Sequence, residues 1–322
     1  MLQEDQATQE QDVISGQQVK AGFRNVLKAI VFVILHVMAL AFFSVMLATM
    51  QVLENNPGID SQSANFQDYL LQEMFNTEMN LRASLYMCIL MIPICLIYLH
   101  LRKKKFPRVI SFDKIGKESV VKTLIGTVAA QGLAMLWFGI LGVLSETSTY
   151  VQELIGNYEE LMGLIVSDDV SPWLIILSTV ILVPICEELV YRGVVLGELR
   201  PLVGDDWAIF ISSVVFGLVH ANLVQSVYAF LLGWVIAVIY LKSGSMIMSI
   251  ASHVLFNFLG GALPIFLGEE SPAVLYLRIA QMAFCVLLVI YLVYLRFTNK
   301  EQFPRPWDLA LKNAQSADLE QV

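Results

Sequence analysis

The sequence predicts an all-α fold: a polytopic membrane helical bundle of about eight transmembrane helices, with the N- and C-termini cytoplasmic. Three observations carry this. Of 322 residues, 57% are hydrophobic and only 15% charged, against about 25% charged in ordinary soluble domains, and the mean hydropathy is +0.67. Apolar runs recur at lengths that suit a hydrocarbon core of ~30 Å, which takes about 20 helical residues. Cations collect in alternate connections, as the positive-inside rule requires of a multi-pass chain.

The runs lie near residues 29–50, 84–101, 123–144, 172–196, 207–223, 224–241, 246–267 and 273–297. Residues 1–28 form a polar, Gln-rich tail with no small-residue cleavage pattern after the first run, so that run is expected to remain as an anchor. Lys20, Arg24 and Lys28 precede it, the segment 102–122 between the second and third runs is densely basic, and Arg296 and Lys300 follow the last run. Connections 51–83, 145–171 and 268–272 hold many Asp and Glu but a single cation, Arg82. The expected organisation is a membrane domain over 29–297 between cytoplasmic tails 1–28 and 298–322, in the cell (inner) membrane. The net charge of −8 reflects this partition of acids outside and bases inside and gives no indication of a nucleic-acid partner; the bilayer is the expected one.

Within the outer connection, Val151, Leu154, Ile155, Tyr158, Met162 and Ile165 recur at helical spacing with Glu153, Asn157, Glu159 and Glu160 between them, an amphipathic helix expected to cap the bundle. Pro93, Pro184 and Pro264 fall inside apolar runs, where each frees the carbonyl four residues back and permits a kink. Cys88, Cys95, Cys186 and Cys285 also fall inside runs and are expected as small buried side chains. His36 stands alone in the first run and His100 ends the second; neither has an evident partner, and both are expected to be packed or interfacial.

The fourth to seventh runs differ. Glu187, Glu188 and Arg192 lie in the fourth, His220 and Asn222 close the fifth, and His253 and Asn257 lie in the seventh. Charges near the centre of a membrane helix cost roughly 2.5 to 3.5 kcal/mol each on insertion scales and are functional by default. Glu188 and Arg192 are four apart with the acid N-terminal, the better order for a helical ion pair. That leaves Glu187, about 100° around the helix, without a partner in its own helix. Phe216 and His220 share one face, as do His253 and Asn257. A leftover carboxylate, two histidines and an amide suit hydrolysis: Glu187 takes a proton from water with His220 beside it, and His253 and Asn257 donate to a developing oxyanion. The set Glu187, His220 and His253 equally suits a divalent metal such as zinc with an open fourth position, and spacing does not separate these two.

Glu187-Glu188-x-x-x-Arg192, Phe216-x-x-x-His220 and His253-x-x-x-Asn257, in this order on successive runs, resemble the motif set of the CPBP (CAAX protease and bacteriocin-processing, or Abi) intramembrane proteases. The likeness covers about residues 172–260 and includes Ser212, Ser213 and Gly217 around the second motif. It implies an all-helical membrane endopeptidase related to the type II CAAX prenyl endopeptidases, acting on a membrane-associated peptide or protein. The first glutamate and first histidine would activate water and the second histidine and asparagine would serve the oxyanion. The resemblance implies structural support from Glu188 and Arg192. Other readings of the same polar set are a transporter or ion channel, and a non-catalytic family member acting as a binding or immunity factor.

At 1.5 Å per residue, Glu187 and His253 lie ~10 Å from the cytoplasmic ends of their runs and His220 about 20 Å from the start of its own. The fifth run is therefore expected to end inside the bundle beside a water-filled cavity, where irregular backbone is tolerated. The cation asymmetry gives the first prediction. A cysteine introduced near Asp60 should react with an impermeant reagent in intact cells and one near Lys104 should not; the reverse pattern would invert the topology.

Overall fold

The sequence's apolar runs form helices in the computed structural model, which describes residues 2–102, 115–165, 170–268 and 270–298, with backbone alone described for 2–21, 163–165 and 295–298. Residues 103–114 of the basic segment and 299–322 of the C-terminal tail lie outside the described residues. The helices are α1 (Leu2–Asn55), α2 (Ala64–Met74), α3 (Thr77–Arg102), α4 (Lys117–Ser145), α5 (Thr149–Ile165), α6 (Pro172–Leu218), α7 (Leu223–Ser243), α8 (Met246–Leu267) and α9 (Pro272–Thr298). No strand occurs among the described residues. The protein is an all-α multi-pass membrane bundle.

Among the described residues, seven helical segments are long and apolar enough to cross a membrane. The fourth and fifth runs form two helical limbs, numbered together as α6, that join at a break at Gly204, with φ 79° and ψ 175°. A side chain there would be strained, whereas glycine adopts this conformation readily. From Asp205 to Leu218 the second limb of α6 rises only about 20 Å, short of a full crossing. It then stops in a turn, 219–222, as expected from the position of His220. Ala221 in that turn has φ 54°, uncommon for a residue other than glycine, and Asn222 caps α7 by accepting from the Val224 and Gln225 N–H groups.

Proline explains two further irregularities. Ile176–Leu182 and Phe258–Ala262 are π-helical, and each ends just before a proline, Pro184 or Pro264. A proline cannot donate to the preceding turn, and a widened turn lets neighbouring N–H groups reach back further. Val183 N–H bonds to the Ser178 carbonyl and Leu263 N–H to that of Phe258, both five residues back. A third π-helical segment, Leu189–Leu196, contains Arg192. Pro93 is carried inside α3 without interrupting it.

The core lies around the middle of α6, whose residues Leu189 to Leu196 are all buried, between α1, α3, α7 and α8. α4 packs across α7, α8 and α9. Two polar seams tie it to α8: the Thr127 and Ser252 hydroxyls lie 2.7 Å apart, and Gln131 Nε2 donates to the Phe256 carbonyl at 2.5 Å. At the far end of the first limb of α6, Glu198 pairs with Arg102 and accepts from the Tyr98 hydroxyl, joining α6 to α3.

The amphipathic stretch forms α5, with Val151, Leu154, Ile155, Tyr158 and Met162 partly buried and Glu153, Asn157, Glu159 and Glu160 exposed. All four cysteines are buried and free. The short helix α2, started by Ser63 accepting from the Phe66 N–H, lies in a connection where the sequence reading placed no element.

Candidate active site

Glu188 is the centre of the polar cluster. Its carboxylate is fully buried and bound by three side chains. Arg192, one turn on, donates from Nη1 to Oε1 at 2.9 Å; the Ser249 hydroxyl donates to Oε2; and His253 Nδ1 lies 2.8 Å from Oε1. A carboxylate can only accept, so Nδ1 carries the ring proton. Arg192 also donates from Nη2 to the Gly233 carbonyl at 3.0 Å, and its guanidinium stacks 4.6 Å above the Phe216 ring. Gly233 is a spatial requirement: a Cβ there would sit 3.0 Å from the Phe216 ring and 3.2 Å from Arg192 Nη2.

His253 links the two acids. With Nδ1 on Glu188, its Nε2 lies 3.6 Å from Glu187 Oε2. Glu187 keeps 11% of its side-chain surface open, whereas Glu188 keeps none. The neighbouring carboxylates of α6 therefore differ: one is saturated by protein donors, while the other meets only a histidine edge and a small opening.

The Phe216 ring separates the two histidines, standing edge-to-face to His220 at 5.0 Å and to His253 at 5.7 Å. His220 lies in the turn that ends α6, with Nδ1 2.8 Å from the Phe216 carbonyl. That carbonyl accepts, so Nδ1 carries the proton and Nε2 of the neutral ring offers its lone pair. Asn257, one turn beyond His253, donates from Nδ2 to the Thr179 carbonyl at 2.8 Å and ties α8 to the π-helical start of α6.

The structure thus brings Glu187, Glu188, Arg192, Phe216 and His253 into one contiguous cluster. His220 joins it through Phe216, and Asn257 sits at its edge. Sequence reasoning missed Ser249, although it lies four residues before His253 on the same helical stripe, and the two carbonyls of Gly233 and Thr179, which no side-chain pattern marks. It also gave Glu188 one partner where the structure gives three. Among the described residues, no three His, Cys, Asp or Glu side chains converge closely enough to hold a metal ion. The set Glu187, His220 and His253 does not converge on one point in this arrangement, because the Phe216 ring stands between the two histidines.

Removing one member of a buried pair leaves an uncompensated charge, at roughly 3 to 5 kcal/mol. Glu188→Ala and Arg192→Ala should each lower the amount of folded protein recovered from membranes and its thermal midpoint in detergent. Gly233→Ala should do the same more mildly by pushing Arg192 off its carbonyl. Wild-type stability in Glu188→Ala would show that the carboxylate is not the anchor described here.

Residues 169–259 match the family model for type II CAAX prenyl endopeptidase Rce1-like proteins. Over 141 residues, 44% of this chain, the sequence is 27% identical to "Putative membrane peptidase YdiL" of Bacillus subtilis (strain 168). That alignment covers 56% of the relative's length, so the chain spans little more than half of the curated relative it matches. No solved structure matches. The matched segment contains every residue of the polar cluster from Glu187 to Asn257, so the likeness to the Rce1-like type II CAAX prenyl endopeptidases falls on the site itself.

Proposed function

We propose that the protein is an intramembrane endopeptidase that hydrolyses a peptide bond of a membrane-associated peptide or protein with water activated by Glu187. One observation carries this reading. In a cluster where Glu188 is saturated by Arg192, Ser249 and His253, the adjacent Glu187 stays open to a small space and has only a histidine edge beside it. An intramembrane carboxylate kept free of a saturating partner is available for proton transfer. The family match over 169–259 and the name of the Bacillus relative support the peptidase class.

In this mechanism, water between Glu187 and His220 gives a proton to the Glu187 carboxylate while its oxygen bonds to the scissile carbonyl carbon. His220 Nε2, left as an acceptor by the bond from Nδ1 to Phe216, holds the other hydrogen of that water. The oxyanion is met by the second hydrogen of the Asn257 amide, the first being engaged by Thr179, and by Nε2 of the His253 ring in its doubly protonated form, in which both nitrogens donate. Collapse breaks the carbon–nitrogen bond, and Glu187 returns its proton to the leaving amine. No step is routed through a metal.

Glu187→Gln keeps the side chain's shape but cannot accept the proton, so it should accumulate in the membrane like the wild type and lose nearly all cleavage. Comparison of membrane peptides from cells carrying the two forms reads activity and substrate together; identical peptide sets would reject the protease reading and favour a transporter or binding role. Asn257→Ala should cost about 100- to 1000-fold in rate, with some loss of protein because the Thr179 carbonyl also loses its donor. Elemental analysis of purified, cleaving protein should find no stoichiometric divalent ion; about one ion per chain, lost together with cleavage on chelation, would replace the glutamate mechanism with a metal one.

A further inference from the structure

His36 belongs to the first span, far outside the family segment, yet α1 packs against the part of α6 that carries the site. It is buried, with 6% of the residue exposed, and its Nδ1 lies 3.1 Å from the Tyr191 hydroxyl, with the two rings edge-to-face at 5.7 Å. Tyr191 follows Glu187 by four residues, so the two lie on one face of α6. The Tyr191 ring also stands edge-to-face at 5.0 Å on Phe216, the ring that separates His220 from His253. The second ring nitrogen of His36, Nε2, is buried and has no hydrogen-bond partner among the described residues. An intramembrane imidazole with an orphan nitrogen is a costlier filler than leucine or phenylalanine would be, so packing alone does not account for it. His36 also lies within electrostatic range of both Glu187 and His220.

We propose that His36 is a positioning residue of the hydrolytic site: by hydrogen-bonding the Tyr191 hydroxyl it holds that ring against Phe216 and so fixes the spacing of Glu187 and His220. This deepens the endopeptidase reading and rests on it. It assigns the first span a part in the site that the family segment alone does not contain. The role runs through a single hydrogen bond, and its consequences are specific. Losing either partner of that bond should have the same effect, and losing both should be no worse. An asparagine, whose side-chain amide overlays the Nδ1 edge of histidine, should restore the function.

Two measurements on the purified full chain in nanodiscs test this. The first uses any internally quenched peptide that the wild type cleaves. His36→Leu and Tyr191→Phe should each lower kcat about 100-fold, as expected for misplaced reacting groups, with KM unchanged. The double variant should match the singles, because coupled residues are not additive; His36→Asn should recover most of the rate, and His100→Asn should be silent. A wild-type kcat in His36→Leu, or multiplied losses in the double variant, would overturn the proposal. The second needs no substrate. Of the four histidines, ring-nitrogen resonances of His36 should move in Glu187→Gln at constant pH while those of His100 stay; an unmoved His36 would also overturn it. If the wild type cleaves no peptide, the endopeptidase reading fails by the first measurement, and the second still decides whether His36 and Glu187 are coupled.

Discussion

The buried carboxylate of Glu188 is the constraint on which the rest of the structure depends. A charge in that position must be neutralised and its oxygens saturated by protein donors, because neither water nor lipid will do it. Arg192, Ser249 and His253 fulfil that requirement from two helices. Once they do, the relative rotation of α6 and α8 is fixed, and Nε2 of His253 is directed towards Glu187. Buried ion pairs contribute little net stability compared with apolar residues of similar size, since desolvation offsets the attraction. Here the pair contributes orientation: it sets the tautomer and direction of the histidine next to the carboxylate proposed to react.

Around that anchor the backbone is irregular where a regular helix would not serve. The π-helical turns before Pro184 and Pro264 keep helices continuous across residues that cannot donate. Gly204 breaks α6, and its second limb ends at the turn holding His220. Gly233 lets the guanidinium approach the backbone of α7. The turn holding His220 and the close approach at Gly233 border the polar cluster directly, whereas Gly204 is exposed.

Much of this was legible in the sequence because membrane helices obey two simple periodicities. Span length follows from bilayer thickness, and the four-residue spacing of Glu188 with Arg192 and of His253 with Asn257 follows from the helical repeat. The shared face of Phe216 and His220 likewise becomes a bond from the ring to the Phe216 carbonyl. What escaped depends on contacts between distant segments. His36 had no partner within its own span and found Tyr191, 155 residues away. Asn257 was read only as a donor to substrate and also holds the Thr179 carbonyl, which carries no side-chain signal. The junction of the fourth and fifth runs carries no loop, because a single glycine with positive φ separates the two limbs of α6.

The central claim is that the Glu188–Arg192 pair exists to orient His253 and not to stabilise the fold. The double substitution Glu188→Leu with Arg192→Met tests it directly, since it removes both charges together and leaves no unpaired charge. Its thermal unfolding midpoint should return close to that of the wild type, as expected when a buried pair is replaced by apolar residues, while peptide cleavage remains lost because His253 has no fixed direction. A double variant that is stable and cleaves at the wild-type rate would contradict the account.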